Sequence, residues 1–333
     1  MAFLSTLFSI IRSPRFLVPF GFALGGFFLY LTIRGIEWGE VGEQLAETSL
    51  LAVAAAVAIM LFSSFLRAYR WRLMWTSERV TTWRLFNVEM AALGLNNFAP
   101  VRLMDEPAVL TMLTLRDRHP AATVVATIVM TRVQDIMFTM VFAFTAIVSE
   151  PRIADFAGPA IYLSGILIVF FVLLLNLGRV ARRITLLGKI PGILTYEQTI
   201  SEAMRRKREL ATTGSLTIIY SLLLGPCAWV LAQGMGIEIS IFQATIVALG
   251  AIFFATSLPG LPGAVGTFEL AVVEILALWD VPRELGIGFG LILHLVLLGP
   301  TTLFAVVVLP REGIGLMQGW RGLLHEPHHD EGS

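Results

Sequence analysis

"TSLPGLPGAVGTFE", residues 256–269, decides how this chain folds. Apolar sequence runs into it from residue 241 and out of it to residue 279. Two prolines and three glycines sit where a membrane helix would otherwise continue. Proline removes a backbone donor and glycine favours a turn, so the helix must break here. At membrane depth, non-helical backbone is tolerated only when it is buried in protein or lines a wet cavity. Pro259, Pro262, Gly263 and Gly266 therefore mark a cavity wall, and Glu269 stands one turn into the helix that resumes after Gly266.

The class follows from composition. Of 333 residues, 56% are hydrophobic and 14% charged, with a mean hydropathy of +0.78. Soluble domains carry about 25% charged residues, so the chain reads as an all-α polytopic membrane protein. A formal net charge of +0 provides no basic field for nucleic acid. Cys227 is the only cysteine, which excludes an intrachain disulfide or a thiolate metal cluster, and no cofactor is expected. The run from Phe16 to Ile33 is too long for a signal-peptide core and is read as a retained first span.

Apolar segments long enough to cross fall near 16–34, 50–66, 121–148, 157–177, 212–233 and 285–309, about six spans in all. Two more, near 85–115 and 241–279, are split by Pro/Gly clusters. Basic residues collect in the N-terminal tail, after the second span, in the long loop 178–210 and at the C-terminal end (Arg311, and Arg321 in the tail 313–333), whereas the ionisable residues of 35–49 are all acids. The positive-inside rule puts the basic set, and both termini, in the cytoplasm of an inner-membrane protein. The sides agree if each split segment returns to the face it entered from. The tail, including His325, His328 and His329, is expected to be disordered.

A single domain over 1–333 then divides into halves, about 10–150 and 151–312, with the same order of span, span, split hairpin, span. An odd number of crossings separates the two starts. The hairpins would therefore enter from opposite faces, the inverted-repeat design of many secondary transporters. The breaks also correspond loosely: Pro100 is followed by Asp105 and Glu106, as Pro262 is by Glu269.

Charges inside apolar runs are costly, by roughly 2.5–3.5 kcal/mol at the bilayer centre, and turn inward. Arg132 and Asp135 share a helix face at i, i+3, as an internal salt bridge or as a head-group or gating contact. Arg102 with Asp105 forms either a solvated turn or a polar hairpin tip; half-helix N-termini nearby suit a phosphate. Glu269 either stabilises its helix start or serves the site. Glu89, Glu274 and His294 read as satisfied interior groups. Arg67, Arg70 and Trp71 form a basic, aromatic belt after span two, for anchoring or for contact with anionic lipid. No P-loop, H-E-x-x-H or G-x-S-x-G is present, so ATP drive and the common hydrolase chemistries are not expected.

"RAYRW" (67–71), "NNFAPVRLMDE" (96–106), "TRVQD" (131–135) and "LPGLPGAVGTFE" (258–269) fall in the order seen in one family. The chain resembles the lysylphosphatidylglycerol synthase transmembrane-region family, also called flippase-like, over nearly its whole length. The last stretch matches the family pattern P-x-x-P-G-x-x-G-x-x-E. Arg132 and Asp135 match R-x-x-D, with Thr131 in place of the family acid. Arg102 and Asp105 resemble an R-x-G-E motif in which Met104 replaces the glycine and Asp105 the glutamate; a later family arginine is Ala108 here. The resemblance implies a non-enzymatic module that moves an anionic phospholipid or a polyprenyl-linked lipid. No fused synthetase domain is present, so lysyl transfer is not expected. A separate lipid-modifying synthase or glycosyltransferase would be its partner. The rival readings are a membrane-embedded enzyme using His294 and the acids, and a non-transporting partner of a synthase.

Overall fold

A computed structural model describes residues 14–75, 79–98, 104–177, 192–258 and 260–312. Pro100, Arg102, Pro259, residues 178–191 of the basic loop and the tail after 312 lie outside the described residues. The described chain is all helical, with no strand. Helix α1 (Pro14–Ile33) is followed by a short α2 (Trp38–Glu47) and a long α3 (Leu50–Met74). A broken pair comes next, α4 (Thr82–Asn96) and α5 (Asp105–Thr111), the latter continued by a π-helical turn to Arg116. Helix α6 (Ala121–Ser149) closes the first half. The second half runs α7 (Ala157–Leu175), α8 (Ile193–Arg205), α9 (Lys207–Leu222), α10 (Leu224–Gly234), α11 (Ile241–Ser257), α12 (Thr267–Ala277) and α13 (Arg283–Arg311).

Four helices or joined helix pairs are long and apolar enough to cross a membrane: Leu50–Met74, Ala121–Ser149, Lys207–Gly234 and Arg283–Arg311. Helices α1 and α2 form a pair bent by 84° that would make a fifth. Two expectations change. The second span runs on to Met74 rather than ending near residue 66, because Arg70 has a counter-ion and need not leave the helix. Residues 193–205 are an amphipathic helix rather than loop, burying Ile193, Tyr196, Ile200 and Ala203 at helical spacing. The tract from Arg205 to Arg208 remains exposed, as its charge requires.

The chain forms two compact units that interleave the halves. One comprises 1–60, 87–108 and 224–333; the other comprises 61–86 and 109–223. In the first, α11 begins with a reciprocal cap: the Ser240 hydroxyl accepts from Gln243 N at 3.2 Å, and the Gln243 side chain accepts from Ser240 N at 2.8 Å. After the break α12 folds back along α11, bringing Ile275 beside Gly250. In the second unit, α3, α6 and α9 meet along buried threonines. Thr123, Thr127 and Thr131 descend one face of α6, opposite Thr213 and Thr217 of α9. Small polar residues let helices approach closely where no hydrophobic force drives them together.

Candidate functional site

The break between α11 and α12 is built from backbone that a helix cannot use. Gly263, Ala264 and Gly266 all have positive φ, at +72°, +60° and +84°. At Gly266 a side chain is also sterically barred, since a Cβ would lie 2.6 Å from the backbone nitrogen of Leu29 on α1. Helix α1 is bonded there as well: the Thr32 hydroxyl donates to Gly266 O at 3.2 Å.

The other break reaches the same place. Asn97, just beyond α4, has its carbonyl 3.6 Å from where a Gly263 Cβ would be. Its amide donates to Thr301 Oγ1 at 3.0 Å and to Thr302 Oγ1 at 2.9 Å on α13. Across its own break, Asn96 Oδ1 accepts from Met104 N at 2.8 Å. Pro300 interrupts α13 beside this clasp. Thr301 and Thr302 both return their hydroxyls to Leu298 O at 2.8 Å, which fixes their side chains to accept from Asn97. The two helix breaks are thus in contact within one compact unit.

Glu269 and His294 lie beneath this junction, 3% and 7% exposed. Glu269 Oε2 accepts from Gly266 N at 2.7 Å, while Oε1 is bonded to His294 Nδ1. His294 Nε2 donates to Gly263 O at 2.9 Å, and the Phe268 ring stacks on the imidazole at 4.5 Å. A groove of about 540 Å³ opens onto the pair, walled by α13 through Leu291, Leu295, Leu298 and Leu303, with the Thr302 hydroxyl at its edge. Its lining is apolar apart from Glu269, His294 and Thr302. Glu269 was legible from its place after Gly266. His294, read as a satisfied interior group, is satisfied, and its partners are the break itself.

A second polar cluster belongs to the other unit. Arg70, 1% exposed, is bonded through Nη1 to Asp135 Oδ1, and Nη2 reaches Oδ2 at 3.4 Å. Tyr220 donates its hydroxyl to Asp135 Oδ1, and its ring lies 5.0 Å from the Arg70 guanidinium carbon. Arg70 Nη1 also donates to Thr217 Oγ1 at 3.0 Å. Trp71 is buried and donates its indole N–H to Thr127 Oγ1 at 3.1 Å. Arg70 and Trp71 therefore face the protein interior rather than a lipid interface, because ion-pairing and hydrogen bonding hold them there. Arg67 is half-buried one turn earlier, and Arg132 is half-buried on α6. The carboxylate expected to pair along α6 with Arg132 is held from α3 by Arg70, 65 residues away. Asp105 opens α5, half-buried. Among the described residues no group of His, Cys, Asp and Glu could hold a metal ion.

Compared with known families, residues 18–305 match the family model described as lysylphosphatidylglycerol synthase TM region. Neither the curated proteins nor the solved structures give a match to this chain.

Proposed function

This chain belongs to the lysylphosphatidylglycerol synthase TM region family, a membrane domain linked to lipid metabolism or translocation, and from that premise we propose that it moves a lipid across the bilayer. The observation that carries this reading is the contact of the two helix breaks at Asn97 and Gly263, beside a groove that is apolar apart from Glu269, His294 and Thr302. Acyl chains would stay against the α13 wall while the head group passes the Glu269–His294 floor and the Asn97–Thr302 clasp. Arg102, with the half-helix starts of its unit, is the proposed phosphate contact for an anionic phospholipid or polyprenyl-linked lipid, and Arg132, in the other unit, is proposed as a separate head-group contact. Asp105 would take part at the hairpin tip.

Element lengths support re-entry of the second hairpin. Helix α11 has 17 residues and α12 has 11, about 26 and 17 Å of rise, each short of a 30 Å hydrocarbon core. The order of elements also repeats: helix, short helix, long helix, broken pair, long helix in each half, with α9 and α10 together as the second long helix. That order supports a two-fold repeat, and the basic loops support its inversion in an inner membrane with cytoplasmic termini. Catalysis is the weaker reading, since both nitrogens of His294 are engaged and a general base needs one free for substrate. A separate synthase or glycosyltransferase would supply the lipid.

Purified chain reconstituted into liposomes with fluorescent phosphatidylglycerol or a labelled polyprenyl phosphate should accelerate transbilayer movement of at least one probe. No acceleration for any anionic or polyprenyl lipid overturns the proposal.

A further inference from the structure

His294 fixes the number of protons at the floor of the groove. Its Nε2 faces the Gly263 carbonyl, which only accepts, so Nε2 carries hydrogen. Its Nδ1 faces Glu269 Oε1. One proton therefore lies between the two side chains, on nitrogen as an ion pair or on oxygen as a neutral pair. A second proton has no site. On Oε2 it would confront the Gly266 N–H, and on Oε1 it would confront Nδ1–H. Removing the one proton instead sets a carboxylate against a bare nitrogen lone pair. Either change breaks a contact, and those contacts tether both ends of the break, at Gly263 and Gly266.

We propose that the Glu269–His294 pair is the binding site of a coupling proton, exchanged through the groove as the lipid head group enters or leaves it. Proton uptake frees Gly266 or His294, loosening the hairpin tip that α1 and Asn97 hold; proton release re-forms the closed set of bonds. The inference rests on the lipid-movement reading and gives that movement its energy source. The residues lining the groove bring no charge other than this pair. On the packed elements, α11 carries no ionisable side chain. The α12 residue Glu274 faces Arg283 of α13 at 3.8 Å. Helix α13 otherwise carries Glu284 in its first turn and Arg311 in its last. Helix α1 brings Arg15 near its start and an exposed Tyr30. Helix α4 brings Arg84 and Glu89.

The test has one readout independent of lipid identity. Val265, exposed in the break, is changed to cysteine (V265C) with Cys227→Ala, and the full chain in nanodiscs is labelled with a polar maleimide from about pH 5 to about pH 8. Each rate is divided by that of glutathione at the same pH. Acidification should raise the normalised rate several-fold, and adding Glu269→Gln together with His294→Gln should make it flat, because neither amide takes up a proton. A flat parent profile, or an unchanged slope in the glutamine variant, overturns the proton site. In liposomes, fluorescent phosphatidylglycerol should move faster under an imposed pH gradient, and the glutamine variant should lose that response. Movement indifferent to the gradient overturns proton coupling and leaves lipid movement standing. If no probe moves at all, lipid movement fails, and the labelling profile alone decides the proton site.

Discussion

Asp135 separates two uses of a charge in a membrane helix, fastening and function. Its carboxylate accepts from Arg70 and Tyr220, and Arg70 is shut away from solvent and lipid. Asp135→Ala would strand that guanidinium. Removing one partner of a buried pair costs roughly 3–5 kcal/mol, whereas replacing both by packed apolar groups is often neutral. Thermal unfolding in detergent should therefore drop sharply for Asp135→Ala and recover in Arg70→Met with Asp135→Leu. If the double variant also restores lipid movement, the pair is a fastener. Glu269→Ala should destabilise as well, by roughly 1–3 kcal/mol for each group it orphans, Gly266 N and His294 Nδ1. Much of this was visible in the sequence, but one-sidedly. An acid three residues after Gly266, or inside an apolar run, announces itself; its partner does not when it lies 65 residues away, as Arg70 does from Asp135. Counting charges also ends a helix where arginines begin, which is why Arg67, Arg70 and Trp71 read as an interfacial belt. A usable signal was the four-residue step Thr123, Thr127, Thr131, Asp135, which marks one buried stripe of α6.

Elements were legible where backbone chemistry is unambiguous. Prolines and glycines located both broken helices, because no side-chain packing compensates for three positive-φ residues in a membrane helix. Helix α8 was missed because its basic C-terminal end disguised an apolar stripe at three- and four-residue spacing. What the sequence could not give was the meeting of the breaks, which depends on close backbone approach. Gly94 of α4 packs so tightly that a Cβ would fall 2.0 Å from Thr301 O. Gly94→Ala should cost about 1–3 kcal/mol by overpacking, read as a lowered unfolding temperature. A direct check is a cysteine pair, Asn97→Cys with Thr302→Cys in Cys227→Ala, placed where those side chains are 2.9 Å apart. Oxidation should cross-link the pair, so that fragments remain joined after cleavage at a protease site inserted between residues 178 and 191. Separate fragments would mean that Asn97 does not reach α13, the clasp that holds the first break beside the second.

At the scale of the whole molecule, the two halves share an element order but not a compact unit: each unit takes helices from both. Order alone does not set orientation, and crossing number does. Glu43 and Glu238 are exposed in acid-rich or base-poor connections, while Arg79 and Arg206 are exposed in basic ones. With cysteine at each position in turn, an impermeant maleimide should label 43 and 238 on intact cells and 79 and 206 only after permeabilisation. Helix α3 then crosses once between 43 and 79, and α9 with α10 crosses once between 206 and 238. If α6 and α7 carry the chain out and back between 79 and 206, as six spans require, the broken α4–α5 pair must return to the face it left. The same parity forces α11–α12 to return on the opposite side if Arg311 is cytoplasmic. Labelling of Arg206→Cys from outside would make α4–α5 a full crossing, and the opposed hairpins on which head-group passage depends would be lost.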